Sequence, residues 1–162
     1  MAGRVSKRQD AVNSADAGAQ ALRDLVVDVF RLNGMLIAAG DALAAPAGQT
    51  SARWRVLAAV EDSPLTVSEI ARSWSLARQS VQRVADLLQR AGLVAYDDNP
   101  AHRRASLVRL TPEGRSALRR IQTSQRAWAA AVAEQIGIAD LETASRILRR
   151  VQDALGEVTT GE

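Results

Sequence analysis

The sequence has no cysteine in its 162 residues, which excludes disulfides, thiolate metal sites and thiol-based redox sensing. Its one histidine, His102, cannot build a histidine cage, so no metal or other cofactor is expected. Aromatic residues make up 3% of the chain against 47% hydrophobic residues overall. Any core must therefore be assembled from Ala, Leu, Val and Ile, a balance that favours helices. No run approaches the ~18 apolar residues that a membrane span requires. The first twenty residues lack the apolar stretch of a secretory signal, so a cytoplasmic protein without a membrane role is expected. Also missing are a nucleophile paired with a base, a phosphate-binding glycine loop and a metal cluster, which argues against an enzyme.

What charge there is lies unevenly. The formal net charge is +3, and residues 64–115 alone carry eight arginines against five carboxylates, so the remainder is balanced. Such an excess fits an ordinary solvated surface as well as a nucleic-acid footprint, and its position has to decide between them.

Residues 1–19 are polar, contain Gly3 and Gly18, show no apolar period and read as a mobile tail. From Leu22 the apolar positions Leu25, Val26, Val29, Phe30, Leu36, Ile37 and Leu43 follow a helical stripe, which Ala45-Pro46-Ala47-Gly48 ends. A shorter helix is expected from about Ser51, with Trp54, Leu57, Ala58 and Val60 turned inward, closed by Asp62-Ser63-Pro64. Thr66-Val-Ser-Glu69 is a capping box and starts a helix at Val67. After a short turn, Val81, Val84, Ala85 and Leu88 mark a second helix, capped by Gly92. Two helices so joined match a helix-turn-helix.

Leu93–Tyr96 and Leu107–Leu110 read as two strands of a hairpin with a long polar tip. Thr111-Pro112 opens a further helix, with Thr111 as N-cap, Pro112 at the first helical position and Leu118, Ile121, Trp128, Val132 and Ile136 as its buried stripe. Gly137 breaks it. A last helix carries Leu141, Ala144, Leu148, Val151 and Leu155 at alternating three- and four-residue spacing, a seam that calls for a partner helix.

With Val81, Val84, Ala85 and Leu88 buried, the opposite face of the second helix presents Arg78, Gln79, Ser80, Gln82, Arg83 and Asp86. Arg and Gln suit bidentate readout of guanine and adenine edges in the major groove. The competing reading is a plain solvated face. The start of the preceding helix, with Thr66 and Ser68, suits a phosphate, although Glu69 occupies the same end. At the hairpin tip, Arg103 and Arg104 suit a narrow minor groove, or merely solvate a loop. His102 beside them is better explained as a phosphate contact or idle surface group than as a metal ligand. Trp54, Trp74 and Trp128 lie on or near apolar stripes, where core packing is the default and an aromatic pocket wall the alternative.

A helix-turn-helix followed at once by a hairpin is the order of a winged helix, and the chain resembles the MarR family (multiple antibiotic resistance regulators) over roughly residues 22–155. The resemblance rests on Leu65-Thr-Val-Ser-Glu-Ile-Ala71, Arg78-Gln-Ser-Val-Gln-Arg-Val84, Leu88, Gly92-Leu93-Val94, Arg103-Arg104 and Leu110-Thr111-Pro-Glu-Gly114. It implies a mostly helical homodimer on double-stranded DNA. Residues 51–115 would form the winged helix-turn-helix lobe, with recognition helix in the major groove and wing at the minor groove. Residues 20–50 and 116–160 would form the dimerisation lobe of a single 20–162 domain. In the family an Asp commonly stands two positions before the second wing arginine and holds it. Here His102 stands there, which leaves Asp97 or Asp98 to take that part.

The resemblance also implies a repressor released from a palindromic operator by a small aromatic or amphipathic effector. That effector would sit where the dimerisation helices meet the DNA-binding lobe, with Arg31, Met35, Trp54 and Arg55 as candidate contacts. The alternative function is a winged-helix module that binds protein without reading bases, against which the arginines of the recognition face argue.

Overall fold

The computed structural model describes residues 2–100 and 105–160, with side chains from 16 to 100 and from 105 to 158. The described residues form helices α1 (Ala2–Ala44), α2 (Ser51–Ala59), α3 (Val67–Ser73), α4 (Arg78–Arg90), α5 (Pro112–Ile136) and α6 (Ile138–Thr160). Three short strands accompany them, β1 (Leu65–Thr66), β2 (Val94–Asp97) and β3 (Leu107–Leu110). The chain divides into two compact units, Met1–Arg55 and Val56–Glu162, with the boundary inside α2.

In the first unit, α1 begins at Ala2, where the sequence reads as a tail through residue 19. An apolar period reports burial and not helicity. The segment is rich in alanine and good helix formers and meets no proline before Pro46, so it is helical without an apolar period in its sequence. A 3₁₀ turn over Ala45–Ala47 ends α1, with Gly48 at φ +70° donating its N–H to the Ala45 carbonyl at 2.8 Å. The Asp41 carboxylate accepts the Ser51 N–H at 2.6 Å and the Thr50 hydroxyl accepts that of Arg53 at 3.3 Å, so two free donors at the start of α2 are satisfied. Most of the apolar stripe of α1 lies open in the single chain; Phe30 is 72% and Met35 70% exposed.

In the second unit the strands form an antiparallel sheet in the order β1-β3-β2. β3 pairs with β2 in the register Val94↔Leu110 to Asp97↔Leu107, and with β1 through Leu65↔Val108 and Thr66↔Leu107. At two residues β1 is too short to leave an alternating pattern in the sequence. The core is aliphatic, as the scarcity of aromatics requires: Leu57, Ile70, Leu88, Leu110, Leu118 and Ile121 are each fully buried. Each contributes about 1.5–3 kcal/mol by removal from water.

The expected tryptophan packing fails. In the second unit Trp74 is 44% and Trp128 36% exposed, since aliphatic side chains already fill its small core, and in the first unit Trp54 is half-buried. Val84 and Ala58 are likewise half-buried. On α5 the buried stripe stops at Ile121; beyond it Val132 is half-buried and Ile136 exposed. No helix among the described residues is long and apolar enough to cross a membrane.

Candidate nucleic-acid interface

α3 is placed by its capping box. The Thr66 hydroxyl accepts the Glu69 N–H at 3.3 Å, and the Glu69 carboxylate accepts the Thr66 N–H at 2.7 Å and the Thr66 hydroxyl proton at 2.8 Å. Thr66 is buried and its side chain is committed to this box, which holds the start of α3. Ser68 at this end, half-buried and without a side-chain partner among the described residues, lines a cleft of about 170 Å³ together with Arg78, Gln82, Tyr96 and Ser106.

The turn into α4 closes with the Leu76 N–H on the Ala71 carbonyl at 2.8 Å and the Ser75 N–H on the Arg72 carbonyl at 3.2 Å. Ser75 occupies the left-handed position between them, at φ +50°. α4 buries Val81, Ala85 and Leu88 and turns Arg78, Gln79, Ser80 and Arg83 to solvent from its first two turns. Among the described residues no side chain pairs with Arg78 or Arg83. Two guanidinium groups without a partner among the described residues therefore stand five residues apart on α4, beside Gln79, Gln82 and Asp86.

Gln82 is placed differently from its neighbours. Its Nε2 donates to Asp86 Oδ1 at 2.8 Å and to the Tyr96 hydroxyl at 2.9 Å, and that hydroxyl donates to Asp86 Oδ1 at 3.0 Å. Burial, reinforced by the Asp86 carboxylate, pushes the Tyr96 hydroxyl up to about 12 from an ordinary 10.0. Sequence reasoning missed Tyr96. The i, i+4 pair Gln82–Asp86 was legible on the helix, but the strand residue that joins it comes from fourteen positions further along.

The wing is anchored at its base. α4 ends with Gly92 at φ +71°, whose N–H reaches the Gln89 carbonyl at 2.9 Å while that of Leu93 reaches Leu88 at 2.9 Å. Thr111, N-cap of α5, accepts the Gly114 N–H at 3.0 Å and donates to the Gly92 carbonyl at 2.7 Å. A Cβ on Gly114 would overlap the Leu93 carbonyl, so this position in α5 admits only glycine at the observed spacing. Along the hairpin Asp97 Oδ2 meets Arg109 Nε at 2.6 Å, each side chain 43% exposed. Asp97 thus already has an arginine partner within the sheet. His102, Arg103 and Arg104 lie outside the described residues.

The four candidate effector residues all belong to the first unit. Arg31 and Met35 stand one turn apart on the open face of α1, with Arg31 3.7 Å from Asp28. Trp54 and Arg55 are half-buried on α2, and Arg55 Nε is buried with no hydrogen-bond partner among the described residues.

Comparison with known proteins places this architecture. Residues 47–105, from the turn before α2 to the far side of the hairpin tip, match the sequence model of the MarR family. An uncharacterized protein of Mycobacterium tuberculosis is 40% identical over 131 residues, covering 81% of this chain and 92% of its own. A MarR family transcriptional regulator from Streptomyces coelicolor superposes with a TM-score of 0.70 at 25% identity, over 82% of this chain and 93% of that one. The M. tuberculosis transcriptional regulator MosR, solved in complex with DNA, gives 0.69 at 26% identity, over 80% and 94%. A helix-turn-helix with an open arginine face, a three-stranded wing stapled to it and these likenesses agree: the chain belongs to the MarR family of DNA-binding transcriptional regulators.

Proposed function

We propose that this protein is a repressor that binds a near-palindromic operator as a homodimer, α4 of each subunit entering a major groove. The observation that carries this reading is the solvent face of α4, where Arg78 and Arg83 stand without a partner among the described residues beside Gln79 and Ser80. A guanidinium presents two parallel donors to the O6 and N7 of guanine, so such a face reads bases as well as attracting phosphate. Ser68 serves the adjoining backbone, while His102, Arg103 and Arg104 follow the groove alongside. Two such helices related by a twofold axis require half-sites about one DNA turn, ~10 base pairs, apart.

DNA selected from a random pool by the protein gives the operator. Arg78→Ala and Arg83→Ala then each weaken operator binding by ~1–3 kcal/mol and random-DNA binding far less. Arg103→Ala lowers both affinities more evenly and flattens their salt dependence. Equal losses on operator and random DNA for Arg78→Ala and Arg83→Ala would remove the base-reading role.

Arg31, Met35, Trp54 and Arg55 are the proposed contacts of a small aromatic acid that releases DNA. The support is a buried guanidinium nitrogen, Arg55 Nε, without a partner among the described residues. Binding of such an acid quenches tryptophan fluorescence and lowers operator affinity, and Trp54→Phe removes the quenching. Millimolar aromatic acids that change neither signal would dismiss this effector class.

A further inference from the structure

The face of α4 is not uniform in what it can offer a base. Arg78 and Arg83 are open, whereas Gln82 between them has both amide hydrogens turned inward, one to Asp86 Oδ1 at 2.8 Å and one to the Tyr96 hydroxyl at 2.9 Å. A glutamine reads adenine bidentately by donating to N7 while accepting from N6. In this arrangement the donor is spent and only the Oε1 acceptor remains. The arrangement is held from outside the helix: Tyr96 sits on β2, and its hydroxyl accepts from Gln82 while giving its own proton to Asp86 at 3.0 Å. The three groups thus form a triangle of hydrogen bonds in which Gln82 donates to both partners and Asp86 only accepts, half-buried and therefore stronger than its equivalent in open water.

We propose that Tyr96 is a specificity-determining positioning residue: by fixing the Gln82 amide it makes Gln82 an acceptor-only reader. Gln82 then favours a base whose major-groove edge donates, adenine through N6 or cytosine through N4, over guanine or thymine at one position of each half-site. Tyr96 itself touches no base. The inference rests on the proposed DNA-reading role of α4 and assigns one residue of that face its chemistry.

Wild-type protein, Tyr96→Phe, Gln82→Ala and the double variant are titrated against duplexes in which each base pair of one half-site is replaced in turn, and against random DNA. Wild type loses about fivefold or more in affinity when the preferred donor base at one position becomes guanine or thymine. At that same position the step shrinks in Tyr96→Phe and vanishes in Gln82→Ala, and the double variant matches Gln82→Ala. Random-DNA affinity and the rest of the half-site profile stay at wild-type values. A Tyr96→Phe profile that coincides with wild type, or additive effects in the double variant, overturns the proposal. If Tyr96→Phe does not fold, Gln82→Ala decides alone: loss of a preference that ranks cytosine with adenine above guanine and thymine supports the acceptor role, and a preference for adenine alone, any other change, or none, overturns it. Wild-type protein that does not distinguish operator from random DNA overturns the reading of α4 as a whole, a result separable from a sequence-specific protein indifferent to Tyr96.

Discussion

Ser75 lies in the turn of the helix-turn-helix at φ +50°, a conformation that places the Cβ of an L-residue against its own backbone. The hydrogen bonds around it, Leu76 to Ala71 and Ser75 to Arg72, are those of a helix end that glycine ordinarily completes, as Gly92 does at the end of α4. Ser75→Gly is therefore expected to raise stability by about 0.5–1 kcal/mol, the relief of strain outweighing glycine's larger entropy in the unfolded chain. Gly114→Ala has the opposite sign. Its Cβ would overlap the Leu93 carbonyl, which is backbone and cannot swing aside, so a loss of at least ~1–3 kcal/mol is expected. Urea unfolding of the two variants beside wild type checks both. A stability unchanged by Gly114→Ala would show that α5 and the residue before β2 can part without cost.

At the scale of elements, α4 and β2 are tied by side chains as well as by the backbone that follows Gly92. Tyr96 is the protein's one tyrosine, so its ionisation can be followed by ultraviolet absorption without overlap. In the fold it loses its proton at about 12 against an ordinary 10.0, because burial and the Asp86 carboxylate both oppose the phenolate. Between those two values the folded chain keeps a proton that the unfolded chain has released. The contribution of this group to stability is complete below pH 10 and is lost as pH rises through 12. Wild-type stability is thus expected to fall across that window, and Tyr96→Phe to show a shallower fall. Parallel curves would mean that the hydroxyl is not held between Gln82 and Asp86 in solution. By contrast, the half-exposed Asp97–Arg109 pair along the hairpin contributes only about 0.2–1 kcal/mol, and register in this sheet rests instead on burial of Val94, Val108 and Leu110.

For the whole molecule the open question is what covers the terminal helices. Phe30 and Met35 on α1 and Ile147 and Leu148 on α6 are exposed in the single chain, more large apolar surface than a soluble monomer ordinarily shows in neighbouring turns. A second copy is the proposed cover, and a twofold partner would also supply the second recognition helix. Leu148→Asp and Phe30→Asp are each expected to shift the protein toward monomer at micromolar concentration in sedimentation. Operator affinity should fall further than random-DNA affinity, since two half-sites are no longer engaged by one particle. A Leu148→Asp protein that still sediments as a dimer would take α6 out of the interface.

The local signals of the winged helix-turn-helix were legible in the sequence because each is satisfied within a few residues. The Thr66–Glu69 box, the Gly92 helix end and the Thr111-Pro112 start act over three or four positions and fix helix ends whatever the rest of the chain does. The stripe Val81, Ala85, Leu88 likewise oriented α4, so the identity of its polar face followed directly. Other features depend on partners far along the chain, and no local pattern announces them. β1 exists because β3 is there to pair with it; Gly114 is required because the Leu93 carbonyl lies against α5; Tyr96 reaches Gln82 and Asp86 only once the hairpin has folded beside α4. Apolar periodicity misled in both directions for one reason: it records which residues seek burial, not whether anything in the same chain buries them. Residues 2–19 are helical without such a period, and Phe30, Trp128 and Ile136 keep the period while exposed in the single chain. The sequence alone therefore determined helix ends, the order of elements and the polar face of α4, all set by short-range hydrogen bonding and patterning. The tertiary structure decided which of those polar groups remain free, because that depends on hydrogen bonds between residues which only the fold brings together.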